Sequence, residues 1–459
     1  MSDTTVRDVK TEGRSPKSHE LYLRALHLFP SGVTHDNRYS GEAEPVYIDR
    51  AKGSRKWDVD GKEYIDFWMG HGALLLGHGH PAIVEAVQHQ IGRGTHYGGS
   101  HPLEVEWGEW IQRLVPSAER IKFTSSGTEA AMMAVRLARA CTERPKFLKF
   151  QGHFHGWSDA MTAGFHAPFD VPSSVGVSQG VLEDVIVAPT DLEEVDRLFG
   201  EHSNEIACVI LEPTGASYGT IPLPEGFLAG LREITHKHGA LLVFDEIVTG
   251  FRYSPGGVQA ATGVIPDLTT LAKIVAGGLP GGAVVGKVDA MSALEFRTDD
   301  PEWNRYRRIN HPGTFNANPL SAAAGIAMLE AASTGEVQTK IAKTGTVLVI
   351  EMNKAIESLG IEGSCVYGDG PIFHVLLGRG ARVDAEGRLE RGSADTLTLR
   401  QANKPEVKRA LQDGMMSRGV DLMSGHAGII SSAHTPEDLS LTVAAFHDTL
   451  RDMKSVGLV

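Results

Sequence analysis

From about residue 104 onward, short apolar runs alternate with helical segments, and this alternation limits the possible folds more than any other feature. Helix-like segments Glu104–Leu114, Glu129–Ala140, Leu192–Phe199 and Gly226–His238 interleave with buried-strand runs. The runs are Ile121–Thr124, Lys146–Phe150, Val185–Ala188, Ala207–Leu211, Ala240–Phe244 and Leu268–Leu271. Strands separated by helices pair in parallel through crossover units, so an α/β fold with a mainly parallel central sheet is expected. Ligands of such sheets collect at the carboxyl ends of the strands, which directs attention to the residues just after each run.

The flanks read differently. Residues 1–19 are polar and predicted to be frayed, and Glu20–Phe29 predicts a short helix stopped by Pro30-Ser31-Gly32. Strand-like pieces at Pro45–Asp49 and Ser54–Asp58 lead to Asp60-Gly61, a hairpin signal before Tyr64–Phe67. Pro81–Ile91 places Ile83, Val84, Val87 and Ile91 on one helical face. Pro319–Ala332 begins an Ala-rich helix leading to a smaller C-terminal domain, in which the charge-rich stretch Gly378–Arg391 predicts an exposed hairpin or loop. At 459 residues the chain exceeds what one core sustains. We expect an N-terminal segment, 1–75, that joins the small domain, a large domain at 76–335, and the small α+β domain at 336–459.

Charge and composition exclude several classes. Lys and Arg number 44 against 57 Asp and Glu, a net charge of −13, which disfavours a general nucleic-acid or anionic-membrane binder. No apolar run approaches the ~18–20 residues that span a bilayer, and the N-terminus has no apolar signal segment. Cys141, Cys208 and Cys365 are far apart and odd in number, as expected in a reducing cytoplasm. Gly281–Lys287 fits the P-loop spacing, but Val288 stands where a Ser or Thr would hold magnesium. The pairs His78/His80, His153/His155 and His236/His238 lack a third ligand at a metal-like spacing, so no metal site is expected.

Three strand ends carry chemistry. At Phe123-Thr124-Ser125-Ser126-Gly127-Thr128-Glu129, a strand gives way to hydroxyls, a glycine and a helix start, which together can cradle an anion. Taken alone, the segment equally fits ordinary helix capping. Ala240–Phe244 runs into Asp245-Glu246. A carboxylate there either meets a positive partner, such as a protonated heterocyclic nitrogen, or caps the next turn. Leu268–Ala272 runs into Lys273 before Gly277-Gly278, where a desolvated amine forms Schiff bases with carbonyls; the ordinary alternative is a solvent-facing lysine. An anion cradle, a strand-end Asp and a strand-end Lys are together what pyridoxal 5'-phosphate (PLP) requires.

At this point the chain resembles a known family, the class III (fold type I) PLP-dependent aminotransferases, and within it the glutamate-1-semialdehyde aminomutase branch. The likeness runs from about Ala25 to Phe446. Its motifs are Phe-Pro-Ser-Gly-Val-Thr (29–34), Leu-Gly-His-Gly-His-Pro (76–81), Ser-Ser-Gly-Thr-Glu-Ala (125–130) and Gly-His-Phe-His-Gly (152–156). Leu-Glu-Pro (211–213), Phe-Asp-Glu-Ile-Val-Thr-Gly-Phe-Arg (244–252), Thr-Thr-Leu-Ala-Lys (269–273), Gly-Thr-Phe-Asn-Ala-Asn-Pro (313–319) and Ser-Ser-Ala-His-Thr (431–435) follow in order. The resemblance implies that Lys273 is the Schiff-base lysine and proton shuttle, and that Asp245 pairs with the pyridine nitrogen. It further implies that Ser126, Gly127 and Thr128 hold the phosphate, with Thr314 reaching it from the neighbouring subunit of a homodimer. Ile247 packs under the ring, Phe154 stands where the family has a ring-stacking Tyr, and Glu212 falls at a cofactor-pocket position. Arg38 falls where this branch places an arginine for the substrate carboxylate.

Four departures bear on the reaction. Phe154 loses the Tyr hydroxyl. The stretch between Trp157 and Gln179 is shorter than the aminomutase gating loop. His426 replaces an acidic residue near the migrating amine, and His71 replaces a tryptophan of the pocket. An aminomutase must retain a diamino intermediate; a transaminase releases its keto product. The expectation is therefore an aminotransferase moving an amino group between a carboxylate-bearing donor and a keto acid in ping-pong fashion. The alternative is glutamate-1-semialdehyde 2,1-aminomutase. A racemase or decarboxylase on this fold, or a non-catalytic module, is less favoured because Lys273 and Asp245 are both present.

Overall fold

The structure, a computed structural model, describes residues 16–39 and 44–459; most of the polar N-terminal stretch lies outside them. Seven strands form the central sheet in the order Arg120–Thr124, Gly282–Gly286, Leu268–Ala272, Leu241–Asp245, Ile206–Leu211, Lys146–Phe150, Val185–Ala188. All pair in parallel except Gly282–Gly286, which is antiparallel to both of its neighbours. That strand escapes the sequence reading because three of the six residues at 281–286 are glycines. They are there for close approach: a Cβ on Gly282 would lie 2.9 Å from both the Leu271 and Ser126 carbonyl oxygens.

Both faces of the sheet are covered, so its central strands are mostly apolar. Every residue of Ile206–Leu211 is buried. Side chains alternate between faces. Phe147, Cys208, Ile210 and Val243 pack on the helix Gly127–Thr142, while Leu148, Val209, Leu242 and Phe244 pack under the helices Leu192–Glu201 and Phe227–His238. This alternation carries Asp245, two residues after Val243, toward the helix Gly127–Thr142.

The helix Pro319–Ala332 is buried almost all round, against Pro81–Ile91 and Pro102–Leu114. Its small residues permit this: a Cβ on Gly325 would lie 2.4 Å from the Val275 carbonyl oxygen. The first helix is Pro16–Leu26, starting inside the stretch expected to be frayed and ending before Phe29. The N-terminal strands Ile48–Lys52, Arg55–Asp58 and Glu63–Asp66 form a sheet completed by Val420–Asp421 in parallel with Glu63–Asp66. Cys365–Gly368, Ile372–Leu376 and Ala427–Ile429 form a third sheet, flanked by the helices Glu336–Ser358, Pro405–Ser417 and Pro436–Ser455. Among the described residues, no helix is long and apolar enough to cross a membrane, and no group of three metal-ligating side chains converges.

Candidate active site

The anion cradle and the helix cap are the same residues. Ser126 is the N-cap of Gly127–Thr142, its Oγ accepting from Glu129 N–H at 3.3 Å, and the Glu129 carboxylate accepts from Ser125 N–H at 2.6 Å. Ser126 thus uses its side chain as a cap. The N–H groups of Gly127 and Thr128 have no partner among the described residues and stand at the positive end of a 16-residue helix. Glycine is needed at 127 because a Cβ there would lie 2.7 Å from Ile247 Cδ1. The cradle therefore adjoins the residue expected beneath the ring. On its other side Gly156, with φ +97°, admits no Cβ without meeting Thr128 Oγ1 at 2.6 Å.

The two carboxylates at the end of Leu241–Asp245 divide the readings left open by the sequence. Glu246 caps a turn, accepting from Val258 N–H at 2.7 Å, Gln259 N–H at 3.2 Å and Thr249 Oγ at 3.1 Å. Asp245 does not. Its Oδ2 lies 2.6 Å from His155 Nδ1, and its Oδ1 accepts from Thr270 Oγ and Ile247 N–H, both at 3.1 Å. Burial pushes its pKa up to about 6, against the lowering effect of Ile247 N–H, Lys273, the Thr270 hydroxyl and Lys149. Lys273 is the first residue after Leu268–Ala272 and takes a left-handed φ of 55°. Burial holds its amine below the ordinary lysine value, while Asp245 and Glu212 pull the other way.

Glu212, just beyond Ile206–Leu211, organises the opposite wall. It accepts from the N–H groups of Phe154 (2.8 Å), Ser217 (2.9 Å) and Tyr218 (2.7 Å), and burial raises its pKa to about 7. These bonds hold Ser217 and Tyr218 at left-handed φ of 49° and 52°. Phe154 is half-exposed and packs on Phe165 with ring centroids 5.0 Å apart. Arg400 stacks over Phe165 at 4.3 Å and donates to Ser217 Oγ at 2.9 Å.

Arg38 is exposed in the short turn Asp36–Arg38 and donates to Thr34 Oγ at 2.9 Å. His35 stacks on His71 at 4.6 Å, and His71, itself at φ 56°, meets Trp68 edge-on at 5.1 Å. Burial lowers the pKa of His71 to about 4, helped by His35, Arg38 and Lys273. His426 donates from Nδ1 to the Ser424 carbonyl at 2.8 Å; burial, with Lys408 and Arg400, lowers it to about 4. Thr314 stands apart, exposed on the turn before Pro319–Ala332 and without a hydrogen bond among the described residues.

Sequence reasoning missed three members of this site. His155 sat in a His-x-His pair set aside because it lacks a third ligand at a metal-like spacing. Arg400 is more than 100 residues from Lys273 with no local signal, and His35 lies beside the noticed Arg38 without a motif of its own.

Residues 38–376 match the class-III aminotransferase family. The chain belongs to that family. Among curated relatives, the glutamate-1-semialdehyde 2,1-aminomutase of Thermodesulfovibrio yellowstonii is 36% identical over 448 residues, covering 96% of this chain and all of the relative. The enzyme of the same name from Ignicoccus hospitalis is 38% identical over 443 residues, covering 95% and 99%. Of solved structures, an omega-transaminase from Sphaerobacter thermophilus aligns with TM-score 0.85 at 32% identity, over 97% of this chain and all of that one. A transaminase with PLP bound aligns with the same TM-score and identity, over 96% and 99%.

This is a PLP-dependent enzyme of fold type I, and its residues fit the cofactor. A part-buried lysine, a buried carboxylate with one oxygen turned away from the next turn toward His155, and a helix start with unspent N–H donors match its aldehyde, ring nitrogen and phosphate.

Proposed function

We propose that the enzyme is a transaminase that moves an amino group between a carboxylate-bearing amino donor and a keto acid, binding the two in turn. One observation carries this reading: apart from Asp36, which acts on His35 two residues from Arg38, the groups around the substrate side of Lys273 are basic or neutral. Arg38 and Lys273 act on His35 and His71, and Arg400 and Lys408 act on His426. The carboxylates acting on Lys273 are Asp245 and Glu212, and their oxygens already accept from His155, Thr270 and four backbone N–H groups. Guanidinium groups favour carboxylates. An intermediate carrying a second ammonium would need a free carboxylate.

When bound, PLP supplies the electron sink that weakens the C–H bond beside the amine. The chain's residues do the rest. Ser126, Gly127 and Thr128 hold the phosphate with oriented N–H and O–H donors, joined by the partner subunit's Thr314. Asp245, fixed by His155 and Thr270, keeps the proton on the ring nitrogen. Ile247 and Phe154 bracket the ring, and Glu212 fixes the loop that presents Phe154. Lys273 Nζ, kept low in pKa by burial, takes and returns the substrate proton. Arg38 receives the donor carboxylate and Arg400 that of the keto acid, with His71 and His426 as uncharged walls. The unpaired cysteines suit a cytoplasmic setting.

The aminomutase reading has its own support in the names and 36–38% identity of the curated relatives. Incubation with glutamate-1-semialdehyde, scored for 5-aminolevulinate, is set against a screen of donors with pyruvate and 2-oxoglutarate. Ping-pong kinetics with an added keto acid is the expected result. Efficient 5-aminolevulinate formation without any acceptor, and no transamination of other donors, would reverse the assignment.

A further inference from the structure

Beneath Asp245 lie two polar side chains with no part in the scheme above, Lys149 and His153, beside the Nε2 of His155, which that scheme leaves unused. Lys149, on Lys146–Phe150, is fully buried, and among the described residues its Nζ donates to one group, the Met161 carbonyl, at 2.9 Å. An ammonium has three donors, so most of this capacity is unspent. His153 and His155 are also fully buried, and the Nε2 of each has no hydrogen-bond partner among the described residues.

The sheet register explains why these groups meet. Lys149 pairs with Ile210, and Ile210 with Val243. Asp245 is the next residue beyond Val243 on that face, so Lys149 lies one step below it and two strands away. Lys149 acts electrostatically on His153, His155 and Asp245. The two imidazole rings are 6.0 Å apart.

The tautomers follow from the bonds already made. His153 Nδ1 accepts from Glu212 N–H at 3.0 Å, so the neutral ring carries its proton on Nε2. His155 Nδ1 faces the Asp245 carboxylate at 2.6 Å and donates to it, which leaves His155 Nε2 an acceptor. Burial keeps both rings well below the ordinary histidine pKa, hence neutral. One donor, one acceptor and one amine thus converge without direct contact. A single water accepting from His153 Nε2–H and Lys149 Nζ, and donating to His155 Nε2, satisfies all three, matching the roughly three bonds of a buried water.

We propose that Lys149, His153 and His155 enclose one ordered water, and that through it Lys149 is a positioning residue holding His155 in the tautomer that donates to Asp245. The charged groups around Lys149 are Glu212 and Asp245, which raise its pKa, and Arg400, which lowers it; burial brings it to about 7. Lys149 and Lys273 both favour the ionised form of Asp245. The proposal rests on the family's cofactor chemistry and is indifferent to the choice between transaminase and aminomutase.

The first readouts need no activity. A high-resolution crystal structure of the cofactor-free protein is expected to place one water within hydrogen-bond reach of Lys149 Nζ and both Nε2 atoms. Nitrogen-15 NMR of the same protein is expected to find His155 protonated on Nδ1. In the cofactor-loaded protein, Lys149→Met removes a cation that keeps Asp245 ionised. The acid limb of the cofactor's visible-absorbance titration then moves up by about one pH unit or more, and Lys149→Arg moves it back. A site without water, His155 protonated on Nε2, or a folded Lys149→Met with an unchanged titration would overturn the proposal. Should Lys149→Met fail to fold, the wild-type water and tautomer still decide. Loss of the visible band altogether would instead count against the cofactor assignment, which the two wild-type readouts do not involve.

Discussion

Asp245 and Glu246 are adjacent, yet the turn of the backbone sends one carboxylate into a cap and the other to the site. Asp245→Asn keeps the shape of the side chain but removes the charge that holds a proton on the ring nitrogen. Turnover is expected to fall by roughly 10²-fold or more, as when other preorganised electrostatic groups are removed, and a variant with near-normal kcat would refute the role. The same residue makes a stability prediction. Burial raises its pKa from 3.8 to about 6, so between those values the folded protein binds more protons than the unfolded chain. Stability contributed at this position is then present at low pH and lost as pH rises through that window. The Tm of cofactor-free Asp245→Asn, taken relative to wild type, should therefore improve from pH 5 to pH 8; a constant difference would argue against a buried, titrating Asp245. The lysine assignment is checked by borohydride reduction of the loaded enzyme, which should fix the label on Lys273. Lys287 is half-exposed and lies 3.5 Å from Asp267, and label there would displace Lys273 from its role.

At the scale of elements, the start of Gly127–Thr142 is where packing and ligand binding constrain the same atoms. Gly127 does not have a positive φ, so Gly127→Ala leaves the backbone unstrained and acts through Ile247, whose Cδ1 must give way. The Ile247 side chain is the part displaced, so the variant should fold with a Tm close to wild type and, if Ile247 floors the ring, bind PLP more weakly, read by absorbance titration. Unchanged affinity would mean that Ile247 does not floor the ring. This element was legible in the sequence because its signals are local: an apolar run, hydroxyls, a glycine and an Ala-rich helix within 20 residues. Lys146–Phe150, Val185–Ala188, Pro81–Ile91 and Pro319–Ala332 were legible for the same reason, their bounds set by Pro and by changes of polarity. Gly282–Gly286 was not, because its glycines answer to neighbours brought close only by folding. Nor were the C-terminal helix Pro436–Ser455, despite its capping box of Thr435 and Asp438, or the approach of Arg400 to Phe165. That contact joins positions 235 residues apart, and no local period encodes it.

At the scale of the whole molecule, one protomer leaves its expected phosphate-binding threonine unused. Thr314 is exposed and without a hydrogen bond among the described residues, next to Phe315, which is 58% exposed on the same turn and stands 5.6 Å from the ring of His96. The resemblance to the family's shared sites, not the exposure of one phenylalanine, motivates a second copy of the chain over this turn. We expect a homodimer in which each turn reaches the cradle of the other protomer. Complementation separates this from a dimer with independent sites. Lys273→Ala chains lack the amine, and Thr314→Ala chains lack a phosphate donor. If the sites are shared, a mixed dimer has one site carrying both defects and one carrying neither. Activity after subunit exchange should then rise above both parents, approaching one intact site per mixed dimer. If each site draws on its own chain, every site in the mixture carries one defect and activity stays at the average of the parents. Exchange must be proven separately, for instance by mass-tagged heterodimers, and Thr314→Ala must show a measurable cofactor deficit. With both in hand, no recovery would assign Thr314 to its own protomer or remove it from the site.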